Sequence, residues 1–166
     1  KNIFFNKDKL KSKITIYIIR LSNSFGVPKN SGPRIWNPII NEFSLQALNK
    51  GKIIIEKPFL IKNFIPLISV EKLISLFLKK NNSKDILCNF GGVSYSLFQI
   101  AKIVKQKISS IFDVNVQIFF RKKKIKKIKK LKYSSKINFI NKIFKKKDFE
   151  KKIFNLLKFI KKNKNK

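Results

Sequence analysis

The chain has 166 residues, enough for one domain with a real core, and 43% of them are hydrophobic, an ordinary globular fraction. Its charge is extreme: 40 Lys and Arg against 8 Asp and Glu, a formal +32 at pH 7, with no histidine and one cysteine. That inventory excludes histidine-based acid–base or nucleophilic catalysis, an internal disulfide and a conventional zinc site, and no apolar run nears the ~20 residues of a membrane span.

A field of this sign attracts polyanions. Its weight as functional evidence is reduced because the excess is nearly all Lys and comes with many Ile, Asn and Phe residues; codons rich in A and T would enrich all four together. Methionine is absent, even at position 1, so the expectation is a chain processed or truncated at its N-terminus. No apolar segment with a small-residue cleavage site follows the basic start, which argues against a signal peptide. Cys88 lies in the run DILCNF and reads as a buried, inert thiol in a reducing cytoplasm rather than a nucleophile, which would want a base partner.

Residues 1–13 read as a helix tail or loop. Residues 14–26, ITIYIIRLSNSFG, open with a continuous apolar run, the pattern of a strand buried on both faces of a parallel sheet. The strand is placed at 14–20. Its carboxyl end is where open α/β sheets seat ligands, and Asn23 is the polar side chain best placed there; it reads equally as a turn former. The long loop that follows, GVPKNSGPRIWNP, carries Arg34 and Trp36, the latter a packing residue or a ligand platform.

A helix is expected at about 39–49, with Ile40, Phe43 and Ala47 on one face and a stop at Asn49-Lys50-Gly51. Ile53-Ile54-Ile55 is a short strand. Phe64 to Leu67 is extended, and Pro66 argues for an edge position. Ser69 is the expected N-cap of a helix at about 70–80 with a stripe of Val70, Leu73, Ile74, Phe77 and Leu78. A second core strand is expected over 85–90. Ser96-Leu97-Phe98-Gln99 is a capping box opening a helix at about 97–109 that buries Leu97, Ile100, Ala101, Val104 and Ile108. Residues 114–120 read as a strand.

The run RKKKIKKIKKLK, residues 121–132, is either a basic amphipathic segment for nucleic acid or acidic lipid or a solvated connection; it lacks interleaved aromatics for base stacking. Asp148 is the expected cap of a helix at about 149–161 that buries Phe149, Ile153, Leu156, Leu157 and Ile160. The alternation of strands and helices predicts an α/β fold.

Chemistry-bearing motifs are sparse. Gly91-Gly92 could present backbone amides to a phosphate or simply turn the chain, since neither G-x-G-x-x-G nor a P-loop pattern is present. No carboxylate pair stands out; Asp113, Asp148 and Glu150 fit capping or solvation. Asn23, Arg34 and Lys62 are the candidates for contact with an anionic ligand, Lys62 as a point charge just ahead of the apolar run at 64–67.

Five motifs in order, RLSNSFG at 20–26, the loop with Trp36, QALNKGKIII, KNFIPLISVEKLI at 62–74 and CNFGGVSYSLFQIAKIV at 88–104, resemble the C-terminal part of the NAD-dependent epimerase/dehydratases, members of the extended short-chain dehydrogenase/reductase superfamily that act on nucleotide sugars. The resemblance spans about residues 10–160. It implies one partial domain over residues 1–166: the C-terminal part of a Rossmann-like NAD(P)-binding fold, with late strands at about 14–20 and 85–90. It also implies a small α/β substrate-binding lobe at about 26–58 and 110–140 and a C-terminal helix at about 149–161.

The resemblance further implies roles. Asn23 matches the Asn that contacts the nucleotide-sugar diphosphate, and Lys62-Asn63-Phe64 stands where relatives have Arg-Asp-Phe, whose Arg grips the same phosphates. Lys62 keeps the charge and loses the bidentate fork; Asn63 replaces a carboxylate of structural role. The implied cofactor is NAD, and the implied partners are a nucleotide sugar, an N-terminal half encoded separately and a second copy in a homodimer. The Gly-rich turn and the Tyr-x-x-x-Lys pair of the superfamily are missing from this sequence: none of Tyr17, Tyr95 and Tyr133 has a Lys four residues later. By itself the chain is therefore expected to bind without catalysing the family's reaction. The alternative reading is a basic module for nucleic acid or acidic membrane.

Overall fold

Strand pairing divides the chain into three small sheets that share two apolar cores. The structure, a computed structural model, describes residues 15–28, 38–79, 85–121 and 146–163. In chain order the elements are β1 (Tyr17–Leu21), β2 (Asn23–Phe25), α1 (Ile39–Lys50), β3 (Lys52–Ile55), β4 (Ile61–Pro66), α2 (Leu67–Lys79), β5 (Ile86–Phe90), β6 (Val93–Ser96), α3 (Leu97–Phe112), β7 (Gln117–Phe120) and α4 (Lys146–Asn163). β1 pairs with β5 in parallel, β3 with β7 in parallel, and β4 lies between β2, parallel to it, and β6, antiparallel. The expected α/β class holds.

The first core forms where α2 covers one face of β1–β5, joining Val70, Leu73, Phe77, Cys88 and Phe90 with Ile65 of β4. Tyr17 stacks on Phe77 with ring centroids 4.8 Å apart. The second and larger core gathers α1, α3 and α4 against β3 and the other face of β2–β4–β6. Because successive strand residues point to opposite faces, β4 serves both: Phe64 enters the second core and Ile65 the first.

The helices follow the local signals. α1 buries Ile40, Phe43 and Ala47 and stops at Gly51, whose φ of 60° needs a residue tolerant of the left-handed region. α3 carries the reciprocal capping box: the Ser96 hydroxyl accepts from the Gln99 amide at 3.1 Å and the Gln99 side chain accepts from the Ser96 amide at 2.8 Å. Ser96→Ala should therefore cost about 1 kcal/mol. A urea melt tests this, and an unchanged midpoint would deny the box a role in stability. α4 buries Phe149, Ile153, Leu156, Leu157 and Ile160 as its periodicity requires, with Lys107 and Glu150 joining α3 to α4 across 2.8 Å.

Several expectations are corrected. β1 is parallel as expected but only half-buried, because it pairs with β5 alone among the described residues. Pro66 is not on an edge strand: β4 is the central strand of its sheet, and Pro66 is tolerated because the β6 ladder has already ended at Phe64. Ser69 is not an N-cap, since β4 runs directly into α2 at Leu67 and buries Ser69 inside the helix. Ile74 and Leu78 of the expected stripe are 45% and 79% exposed. Asp148 lies within the first turn of α4, which begins two residues earlier. The strands β2 and β6 were not anticipated. Arg34, Trp36, Tyr133 and the run 122–132 lie outside the described residues.

Candidate functional site

Asn23 and Lys62 come together through strand register. Asn23 pairs with Phe64, and Lys62 with Tyr95. Paired residues project to one face of a sheet and alternate residues share it, so Asn23, Lys62, Phe64 and Tyr95 occupy the same face. Phe64 is buried in the second core, Lys62 is half-buried and Asn23 exposed. The two polar groups therefore sit beside an apolar floor, at the carboxyl end of β1. Asn23 uses Nδ2 to donate to the Asn63 carbonyl oxygen at 2.9 Å. One N–H and the side-chain oxygen are left for a ligand. Arg34, the third candidate, lies outside the described residues.

Asn63 points the other way and is 7% exposed. Its Oδ1 accepts from the Gly92 amide at 2.8 Å, and its Nδ2 donates to the Gly92 carbonyl at 3.2 Å and the Ser94 hydroxyl at 3.0 Å. This amide clamps β4 to the β5–β6 turn, so an amide here does the structural work expected of a carboxylate. It also decides between the two readings of Gly91-Gly92 in favour of the turn: those glycines join two strands, the Gly92 N–H is already taken, and α3 starts only at Leu97. Gly26 has a packing reason, since a Cβ there would sit 3.2 Å from the Leu67 side chain.

A pocket of about 550 Å³ opens between α1, β3 and the approach to β4, lined by Phe43, Gln46, Ile54, Glu56, Leu60 and Arg121 among others. No sequence signal marked it. Arg121 and Glu56 pair across 2.8 Å at this pocket. Gln117 donates to the Gly51 carbonyl and Arg121 to the Ile55 carbonyl, so the odd-numbered residues of this strand face β7. By alternation the backbone of Ile54 and Glu56 faces away from β7, on the edge of β3 that no other described strand pairs. The Ile54 N–H is held by Gln46 Oε1 at 3.0 Å.

Among the described residues, no group of three or more His, Cys, Asp or Glu could hold a metal, and no helix is long and apolar enough to cross a membrane. Burial pushes the Cys88 thiol upward from its ordinary value, which disfavours the reactive thiolate.

No protein-family model matches this sequence, and no curated protein matches it significantly. Solved structures do. A UDP-N-acetylglucosamine 4-epimerase from Methanobrevibacter ruminantium, in complex with UDP-N-acetylmuramic acid, matches with a TM-score of 0.66 at 18% identity, over 89% of this chain and 46% of that one. The chain has the fold of the epimerase/dehydratases. An NAD-dependent NDP-hexosamine 5,6-dehydratase of tunicamycin biosynthesis gives a TM-score of 0.66 at 14% identity over 94% and 49%. A UDP-glucuronic acid 4-epimerase variant from Bacillus cereus, with a fluorinated UDP-sugar and NAD, gives 0.67 at 13% over 90% and 46%. The chain thus spans under half the length of these epimerase and dehydratase structures.

Proposed function

We propose that the chain is the nucleotide-sugar-binding portion of an NAD-dependent epimerase/dehydratase. The observation that carries this reading is the shared face of Asn23 and Lys62 at the carboxyl end of a parallel strand, in a chain whose fold is that of nucleotide-sugar enzymes. Lys62 supplies charge to a diphosphate, and Asn23 a directed N–H. Relative to an Arg fork, the single Lys ammonium sacrifices one charge-assisted hydrogen bond, about 1–2 kcal/mol of grip. The pocket at the open edge of β3 suits the base: the Ile54 carbonyl and the Glu56 N–H form an acceptor–donor pair of the kind a pyrimidine or purine edge complements. Leu60, just ahead of β4, lines that pocket two residues before Lys62, which brings the base and diphosphate ends close in the chain.

NAD does not fit the residues present. Its pyrophosphate wants a Gly-rich turn at a helix N-terminus. Gly91-Gly92 is committed to a strand-to-strand turn, and the sequence has no Tyr-x-x-x-Lys pair. In this reading NAD binding and proton transfer belong to the part of the epimerase and dehydratase fold that this chain does not span. The buried free thiol of Cys88 fits the cytoplasmic location that goes with this reading.

The test is a thermal melt with UDP-, GDP- and dTDP-sugars at millimolar concentration in about 0.3 M salt, which screens unspecific charge attraction. One nucleotide class is expected to raise the melting temperature, and Asn23→Ala to remove that rise while changing the stability of the ligand-free protein by no more than about 1 kcal/mol. A cooperative melt that none of the nucleotide sugars shifts would refute the reading.

A further inference from the structure

The pocket beside β3 holds one polar atom more than the backbone pair of Ile54 and Glu56, and that atom distinguishes one base from another. On the edge of β3 away from β7 the groups run in chain order: Ile54 N–H, Ile54 carbonyl, Glu56 N–H. Left bare, this edge would read donor–acceptor–donor. Its first group is taken, because the Ile54 N–H donates to Gln46 Oε1 at 3.0 Å. Gln46, Ile54 and Glu56 all line the pocket of about 550 Å³, a volume within the range of small-molecule sites. Ile39 and Leu60 give it apolar walls.

The orientation of the Gln46 amide follows from its two partners. Its Nε2 donates to Glu42 Oε1 at 2.9 Å. A backbone N–H only donates and an ionised carboxylate only accepts, so turning the amide over would lose both bonds. Oε1 is therefore fixed beside Ile54. It has two lone pairs and one of them is in use, which leaves one acceptor site. Glu42 also lines the pocket and adds negative charge behind the amide. The edge as built reads acceptor–acceptor–donor: Gln46 Oε1, Ile54 carbonyl, Glu56 N–H.

We infer that this pocket selects guanine, so that the nucleotide sugar is a GDP-sugar. The inference rests on the proposed function for placing a base here at all. Guanine presents N2–H, N1–H and O6 in a row, donor–donor–acceptor, which is the full complement of that edge. Uracil and thymine flank a single N–H with two carbonyl oxygens. Because the flanks are alike, turning the ring over still sets an oxygen against Gln46 Oε1. Adenine and cytosine place an amino donor next to a ring-nitrogen acceptor, which satisfies the Ile54 carbonyl and the Glu56 N–H and leaves Gln46 Oε1 unused. Guanine thus makes three bonds where the other bases make two, and uracil and thymine add an oxygen–oxygen repulsion.

The experiment is a calorimetric titration of the purified full chain in about 0.3 M salt. One series compares GDP-mannose with UDP-glucose and dTDP-glucose. A second compares GDP with IDP, whose base lacks only the N2 amino group. GDP-mannose is expected to bind at least about 30-fold more tightly than either pyrimidine nucleotide sugar, and GDP about 10-fold more tightly than IDP. Gln46→Ala frees the Ile54 N–H and returns the edge to donor–acceptor–donor, the complement of uracil, so the preference should reverse toward UDP-glucose. The ligand-free melt of that variant is its folding control, and the comparison of GDP with IDP needs no variant. Equal binding of GDP and IDP would overturn the inference, as would tighter binding of UDP-glucose or dTDP-glucose by the parent chain; either result leaves the proposed function standing. A guanine preference that survives Gln46→Ala would also overturn it, since the selecting atom would not be Gln46 Oε1. Failure of every nucleotide sugar to bind defeats the functional reading and the inference together.

Discussion

Phe149→Ala is expected to cost about 3–5 kcal/mol. Phe149 is fully buried near the start of α4. Its ring meets Phe25 edge-on with centroids 5.0 Å apart and tilts against Tyr95 at 5.5 Å. Truncation removes the transfer free energy of the ring and both aromatic contacts, and leaves a cavity that two strands and a helix cannot close. The consequence reaches the candidate site: Phe25 and Tyr95 occupy the sheet face that also carries Asn23 and Lys62. Phe149 is thus part of what holds that face flat. Urea denaturation followed by circular dichroism measures the loss, with Phe149→Leu expected to recover about half of it. A midpoint for the Ala variant within about 1 kcal/mol of the parent would mean that α4 contributes little to the core.

Asn63→Leu is expected to cost about 2–4 kcal/mol. Its side chain makes three hydrogen bonds in a nearly buried setting, and leucine would leave the Gly92 N–H and carbonyl without their partner while nearly matching the volume. Asn63→Asp should be milder, because a carboxylate still accepts from Gly92 and the Ser94 hydroxyl can turn to donate. Amide exchange at Gly92 reports the clamp directly: it should accelerate in the leucine variant and stay slow in the aspartate variant. Equal stability of all three proteins would show the clamp to be dispensable.

These two residues differ in how visible they were beforehand. Phe149 sits in a 3.6-residue apolar repeat, so its burial followed from its own neighbours in sequence. The partners of Asn63 are Gly92 and Ser94, about thirty residues on, and no local pattern named them. What the sequence offered at Lys62-Asn63-Phe64 was a resemblance to Arg-Asp-Phe. The structure supplies the physical content: the middle residue of the three turns inward to tie two strands, and the first turns outward beside Asn23.

Local chemistry by itself determined where the helices lie, the buried faces of α1, α3 and α4, the capping box at Ser96 and the stop at Gly51. Each depends on residues within about one turn of one another, where periodicity and capping leave little choice. The apolar run ahead of Arg20 likewise foretold a parallel strand. Tertiary structure alone decided the rest. Three- and four-residue strands such as β2 and β6 have no stability of their own and exist only where a partner completes their hydrogen bonds. Pro66 could enter a central strand only because the β6 ladder stops two residues earlier. Asn23 and Lys62 share a face because of strand register set across some forty residues, and only the packing of α2 on β1–β5 decided that Val70, Leu73 and Phe77 of the apolar stripe are buried while Ile74 and Leu78 are exposed.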